Sequence, residues 1–142
     1  MIGLIVTGHG NFGTGLTSSL NLIAGEQQNY YAVDFTSDYS VEDLERDLNK
    51  ALDALSDCDG ILMLSDLVGG SPFKSSVILS TQRQNVEVVG GTNLAMLVEV
   101  AMARNFNDDL QALTETAVNT GKDAVVHYVF QPVEEQTCED GI

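Results

Sequence analysis

Short apolar runs of strand length alternate along this chain with segments whose apolar residues recur at helical spacing. Strands joined through helices lie parallel with right-handed crossovers, and their helices cover both faces of the sheet. The alternation therefore predicts an α/β fold, a three-layer α/β/α sandwich around a mostly parallel, doubly wound sheet. The predicted strands are Ile2 to Thr7, Tyr30 to Phe35, Gly60 to Asp66, Val86 to Gly90 and Ala124 to Phe130.

The fifth strand pattern, residues 124–130, is less apolar than the others because it contains His127 among other polar groups. Mixed polarity is typical of an edge strand, which offers unpaired backbone groups to a second subunit. From Pro132 onward the sequence is short and acidic. We therefore divide the chain into one domain, residues 1–131, and an acidic C-terminal tail, residues 132–142.

Capping residues predict where several helices begin and end. Ser40, with Asp43 three positions on, is close to a capping box, in which each side chain pairs with the other residue's amide. Ser71 suits an N-cap, and Pro72 suits the first helical position after it. Gly121 is placed to end the last helix.

Charge and composition exclude several classes of function. Twenty-one acidic residues against six basic ones give a net charge of −15, which argues against nucleic acid as a partner, because its phosphates need a basic surface. A basic protein would be attracted by such a field. The apolar runs fall far short of the roughly 20 residues that a membrane span needs, and no basic leader opens the sequence. Cys58 and Cys138 form neither a disulfide framework nor a metal-ligand spacing, so we expect a cytoplasmic protein without a metal.

Two loops with chemically active side chains follow the first and third predicted strands. In open parallel sheets, ligands bind beyond the carboxyl ends of the strands. The first loop holds His9 between Gly8 and Gly10, which leaves the ring and nearby amides exposed. A neutral imidazole, the main form near neutral pH, can act as a nucleophile. His9 is therefore the candidate catalytic residue.

The second loop supplies a carboxylate and the start of a helix. Asp66 ends the third strand, and a carboxylate that accepts a hydrogen bond from one ring nitrogen of His9 leaves the other nitrogen free to react. The next helix begins near Ser71 with unpaired amides that suit phosphate oxygens. Each feature also has an ordinary explanation, since histidines, turn aspartates and helix starts are common in loops. Their convergence on one point favours a functional site.

The first loop also satisfies a second interpretation. Gly8, Gly10 and Gly13 match the G-x-G-x-x-G pattern of dinucleotide-binding domains, and Asp34 follows at about the 20-residue distance expected of a ribose-binding carboxylate. A dinucleotide-binding or regulatory α/β module is therefore the alternative. It is weakened because 142 residues leave no second domain for a substrate, and because it gives Asp66 no role.

Four motifs occur in order along nearly the whole chain, to about Phe130. They are Gly8-His9-Gly10, Asp66 followed by Gly69-Gly70-Ser71-Pro72-Phe73, Gly90-Gly91-Thr92-Asn93-Leu94-Ala95-Met96-Leu97, and Met102-Ala103-Arg104. Together they resemble the mannose-type IIA component (the mannose, fructose and sorbose family) of the bacterial phosphoenolpyruvate:sugar phosphotransferase system. Ala95 stands where many members carry proline.

This resemblance implies a phosphotransferase component that works through a phosphohistidine and needs no cofactor. His9 would accept a phosphoryl group at Nε2 from phospho-HPr while its Nδ1–H is bound to Asp66, with Gly10 and Ser71 as phosphoryl-binding residues. The group would pass to a cognate IIB protein, which phosphorylates a sugar during import through the membrane components IIC and IID. The resemblance also implies a homodimer that exchanges an antiparallel C-terminal strand. A phosphotransfer subunit of a dihydroxyacetone kinase is the related alternative, which the Gly-Gly-Ser-Pro-Phe loop disfavours.

Overall fold

The computed structural model describes residues 1–133, which form four strands and five helices. All four strands are parallel and lie in the order β2-β1-β3-β4. The predicted α/β class with a parallel sheet is confirmed. The elements are β1 Ile2–His9, α1 Phe12–Ala24, β2 Tyr30–Phe35, α2 Val41–Ala54, β3 Gly60–Ser65, α3 Ser71–Ser80, β4 Val86–Val89, α4 Leu94–Ala103 and α5 Leu110–Asp123.

Each face of the sheet carries its own apolar core. Successive side chains of a strand point to opposite faces, so β1 gives Leu4 and Val6 to one core and Ile5 to the other. Buried residues of α1, α4 and α5 pack on the first face, and buried residues of α2 and α3 pack on the second. The central strands β1 and β3 are largely apolar because both of their sides are covered.

The strand order places the carboxyl ends of β1 and β3 side by side at a switch point. The chain passes from β1 to β2 on one side and then crosses to β3 and β4 on the other. Thr7 of β1 is in register with Ser65 of β3, and His9 is in register with Phe35 of β2. β1 thus continues two residues beyond its predicted end at Thr7, because the pairing with β2 extends to His9.

The capping predictions hold for α2 and differ by one residue for α3. The Asp43 amide donates to Ser40 Oγ at 3.1 Å, and the Ser40 amide donates to Asp43 Oδ2 at 3.0 Å, which completes the capping box. In α3 the N-cap is Gly70, and Ser71 is already the first helical residue. The extended backbone of Gly70 turns the chain into the helix one residue earlier than the serine preference indicated.

For the C-terminal part of the chain, one prediction is wrong and a second is not shown by the single chain. Gly121 does not end α5, which runs on to Asp123. A Cβ at Gly121 would lie 2.6 Å from Met96 Cε, so this glycine serves close packing against α4. The predicted strand 124–130 is not formed within the single chain, because residues 125–130 have no paired strand and are exposed.

Arg104, just after α4, is a buried side chain to which the sequence analysis gave no structural role. It is 1% exposed, and its guanidinium donates to the carbonyl oxygens of Ile2, Gln28 and Asn29 and to the side chain of Gln27. Burial lowers the pKa of Arg104, but a guanidinium keeps its charge in a protein. The side chain therefore ties the end of α4 to the start of β1 and to the loop before β2.

No helix within residues 1–133 combines the length and apolar character needed to cross a bilayer. Residues 134–142, which include Cys138 and most of the predicted acidic tail, lie outside the described part.

Candidate functional site

The candidate site lies where β1 and β3 end. His9 is the last residue of β1, and Asp66 directly follows β3. His9 Nδ1 is 2.8 Å from Asp66 Oδ2, and the backbone amide of His9 donates to the same oxygen at 2.8 Å. The histidine side chain is 48% exposed and the aspartate 15%. The predicted pair is thus in contact, with the ring open to solvent and the carboxylate largely covered.

The environment of Asp66 keeps this carboxyl ionised. Burial by itself raises the pKa of Asp66, but hydrogen bonds from the amide and imidazole of His9 lower it, aided by the Leu67 amide. The balance puts the pKa of Asp66 below its ordinary value. An ionised carboxylate accepts hydrogen bonds only, so a neutral His9 must carry its proton on Nδ1. Nε2 is then the nitrogen with a free lone pair.

Two glycines permit the close approach of these side chains. A Cβ on Gly8 would lie 2.8 Å from Asp66 Cγ and 2.6 Å from the ring of Phe12. A Cβ on Gly70 would lie 2.5 Å from His9 Cε1 and 3.2 Å from Nε2. The imidazole therefore rests directly on the backbone of Gly70, with Nε2 close to it.

Gly70 is also the N-cap of α3, so Nε2 of His9 lies beside the start of this helix. The first amides of a helix have no carbonyl partner within it, and Pro72 has no amide hydrogen. Ser71 and Phe73 therefore supply the free amides of the first turn, at the positive end of the helix dipole. Helix starts of this kind bind phosphate groups.

Gly10, a predicted phosphoryl-binding residue, is paired through its backbone with the end of β2. Its amide, expected to bind a phosphoryl group, donates to the carbonyl oxygen of Phe35 at 2.7 Å. Its own carbonyl accepts the Phe35 amide at 3.2 Å, and its φ of +59° favours glycine. Gly10 therefore fastens the loop to the end of β2, because its amide is already paired.

Phe35 and the loop after β4 are neighbours of the site that the sequence analysis missed. The ring of Phe35 meets the His9 imidazole edge-on, with centroids 5.9 Å apart. The amide of Gly91 donates to the carbonyl oxygen of Asp66 at 2.6 Å, which anchors the loop that carries the carboxylate. The sequence could have indicated both neighbours, because the carboxyl ends of all the parallel strands lie at this same edge of the sheet.

Asp34, the candidate ribose-binding residue of the alternative, is already engaged. Its Oδ1 accepts the amide of Thr14 at 2.9 Å, and its Oδ2 accepts the Thr14 hydroxyl at 2.6 Å. These bonds give Asp34 a role within the fold that needs no nucleotide. Within residues 1–133, no three His, Cys, Asp or Glu side chains converge to hold a metal ion.

The family comparison agrees with the site. Residues 3–118 match the family model described as "PTS system fructose IIA component". This chain belongs to the mannose/fructose/sorbose-type IIA family of the sugar phosphotransferase system. The match covers the loops that hold His9, Asp66 and Ser71.

Individual members of this IIA family resemble the chain over most of its length. It is 33% identical over 133 residues to the "PTS system mannose-specific EIIAB component" of Escherichia coli (strain K12). The alignment covers 94% of this chain and 41% of the relative. It is 32% identical over 104 residues to the "PTS system fructose-specific EIIA component" of Bacillus subtilis (strain 168), covering 73% of this chain and 71% of the relative. The chain thus spans less than half of the longer, mannose-specific relative.

A solved IIA structure has the same fold. The crystal structure of the phosphotransferase system component EIIA from Streptococcus agalactiae superposes with a TM-score of 0.82 at 33% identity, over 89% of this chain and 97% of that one. The mannose/sorbose-specific IIA subunit from Enterococcus faecalis has a TM-score of 0.84 at 24% identity, over 93% and 98% of the two chains, and supports the fold alone.

Proposed function

We propose that this IIA chain carries a phosphoryl group on His9 Nε2 as one step of sugar uptake. One observation carries the proposal. Asp66 occupies Nδ1 at 2.8 Å, while Nε2 lies beside Gly70 at the start of α3. Nε2, the reactive nitrogen, is thus distinct from Nδ1, which Asp66 holds, and it faces groups that suit phosphate oxygens.

The transfer is an in-line displacement between two imidazoles. The lone pair of His9 Nε2 forms the new N–P bond, while the donor's N–P bond breaks and its electron pair returns to the donor ring. Positive charge grows on the His9 ring, and ionised Asp66 balances it through Nδ1–H. Such transfers need positioning and charge stabilisation more than covalent help. The Ser71 hydroxyl and the first amides of α3 would hold the phosphoryl oxygens.

The donor in this proposal is phospho-HPr, and the acceptor is a IIB protein that acts with IIC and IID membrane components. The support is membership of the IIA family, together with a relative whose name joins the A and B components. A net charge of −15 would attract a basic donor. Leu67 and Val68, which are 65% and 64% exposed in the loop after Asp66, would add apolar contact. With these partners, we propose that the protein acts in the cytoplasm.

Incubation with phosphoenolpyruvate, Enzyme I and HPr tests this function. We expect a mass gain of one phosphoryl group that is labile in acid and stable in base, as N-linked phosphate is. Omitting HPr should abolish the gain. A chain that stays unmodified with all components present would refute the proposal, as would a phosphate stable in acid.

A homodimer is the second part of the proposal. Residues 125–130 are exposed and unpaired in the single chain, and β4 is an edge strand. Val126, Tyr128 and Phe130 are each at least 70% exposed, which leaves an apolar face without cover. We propose that this segment becomes an antiparallel strand beside β4 of a second copy.

Sedimentation equilibrium tests the dimer. Val126→Asp combined with Tyr128→Asp should shift the protein toward monomer, because both side chains lie on one face of the strand. Val133→Asp, outside the segment and also exposed, is the control. An unchanged dimer in the double variant, or a monomeric parent protein, would contradict this part.

A further inference from the structure

The first turn of α1 is capped from a neighbouring strand. Asn11 occupies the N-cap position but makes no side-chain capping bond. Asp34, near the end of β2, accepts both the amide and the hydroxyl of Thr14, at 2.9 and 2.6 Å. A carboxylate at a helix start satisfies a free amide and interacts favourably with the helix dipole. The strand thus supplies the cap that the local sequence lacks.

Gly13 makes this contact possible. A Cβ there would lie 2.9 Å from Asp34 Oδ1, 3.0 Å from the Val6 carbonyl oxygen and 3.1 Å from that of Val33. Only a residue without a side chain lets the turn lie directly on β1 and β2. Gly13 and Asp34, two members of the dinucleotide-like pattern, thus have a packing role.

The segment between His9 and the capped turn is held at both ends. Phe35, next to Asp34, binds Gly10 through two backbone hydrogen bonds, at 2.7 and 3.2 Å. The ring of Phe35 also meets the imidazole of His9. At the other end, Asp34 holds Thr14. The tip of β2 therefore fixes both the start and the end of this short loop.

Phe12 links the capped turn to the orienting carboxylate. It is the first residue of α1, two positions before Thr14. Its ring lies against Gly8, at the same place where Asp66 approaches the backbone. A shift of the first turn would move this ring and loosen the packing beside Asp66.

We infer that Asp34 is a positioning residue for phosphoryl transfer at His9, an inference that rests on the proposed function. Asp34 does not contact the imidazole. It acts through Thr14 and the first turn of α1, and its neighbour Phe35 holds the other end of the loop. Small displacements of reacting groups cost much rate, so we expect Asp34→Ala to slow transfer about 10- to 100-fold.

The experiment compares Asp34→Ala and Thr14→Val with Thr14→Ser, which keeps the hydroxyl. Asp38→Asn is the matched control, because it removes an equal charge from the loop after β2, where Asp38 accepts a hydrogen bond from the Thr36 hydroxyl. The maximal rate of transfer from saturating phospho-HPr is measured well below the unfolding temperature. The ¹⁵N signals of the His9 ring are recorded without a donor.

We expect a reduced maximal rate and shifted ring signals in Asp34→Ala, a smaller effect in Thr14→Val, and values near the parent's in Thr14→Ser and Asp38→Asn. If Asp34→Ala does not fold, Thr14→Val decides. Unchanged rates and ring signals in a folded variant would overturn the inference while leaving the proposed function intact. A parent protein that takes no phosphate would refute the proposed function, and the ring signals would then decide the positioning role alone.

Discussion

A single oxygen of Asp66, Oδ2, accepts two hydrogen bonds from His9, one from the backbone amide and one from Nδ1, each at 2.8 Å. The amide bond fixes the carboxylate relative to β1, and the Nδ1 bond fixes the ring relative to the carboxylate. The backbone of the histidine thus aligns the group that orients its side chain. The rotation and tautomer of the ring are both determined before any partner binds.

Replacement of Asp66 by asparagine should remove the negative charge beside His9 and keep the shape of the side chain. The amide keeps the size of the side chain but cannot balance positive charge on the ring, and it can offer Nδ1 a donor in place of an acceptor. We expect transfer from phospho-HPr to slow about 10- to 100-fold. Stopped-time phosphorylation assays measure the rate, and ¹⁵N spectra report the tautomer. An unchanged rate would remove Asp66 from the mechanism.

The Asp66→Asn substitution should also change how the free energy of unfolding depends on pH. Because the pKa of Asp66 is lowered in the folded protein, its ionised form stabilises the fold above the ordinary aspartate pKa of about 3.9. This contribution is lost as the pH falls through the lower, folded value. The parent protein should therefore exceed Asp66→Asn in free energy of unfolding by a constant amount near neutral pH, with the difference shrinking below about pH 4. Urea titrations across this range measure it, and a difference that grows in acid would contradict the assignment.

Gly70→Ala should damage the site with little effect on the fold. Its φ of −77° suits alanine, but the new Cβ would lie 2.5 Å from His9 Cε1, so the ring must move. We expect transfer to fall at least about 10-fold. Gly15→Ala, at a glycine inside α1, is the control because nothing lies within 4 Å of its Cβ. That variant should keep its rate and gain about 0.5–1 kcal/mol of stability. Equal rates in both variants would show that Gly70 is not needed beneath the ring.

The fold and the central pair were predictable because they depend on strong local signals. Apolar runs of strand length separated by helical stripes allow few architectures. Parallel strands then bring the residues after β1 and β3 together, which is how His9 and Asp66 could be paired from sequence. The capping box at Ser40 and Asp43 was also readable, since its geometry is confined to one helix turn.

The remaining features depend on contacts between distant parts of the chain. Gly121 fits a helix end by local preference, but α5 continues past it and packs it close to Met96. The amide of Gly10 was expected to be free, whereas pairing with Phe35 occupies it. Residues 124–130 have strand character without a strand partner inside one chain. Local patterns could not show any of these partners.

Arg104 provides a test of the fold away from the site. Arg104→Met would remove the guanidinium hydrogen bonds to the carbonyl oxygens of Ile2, Gln28 and Asn29, of which the bond to Ile2 is buried. We expect a loss of about 3 kcal/mol in the free energy of unfolding, from urea titration. Arg46→Met, which removes an exposed ion pair with Asp43, should cost much less, because solvent screens that pair. Equal costs would show that the buried contacts of Arg104 are not stabilising.

The most direct test compares the chain's two histidines as phosphoryl acceptors. His9→Ala and His127→Ala are each incubated with phosphoenolpyruvate, Enzyme I and HPr, and intact mass is recorded over time. His127 lies in the exposed segment after α5, so its loss should leave phosphorylation unchanged. His9→Ala should fold normally and gain no phosphoryl group. A His9→Ala protein that still gains the group, or a His127→Ala protein that does not, would contradict the account.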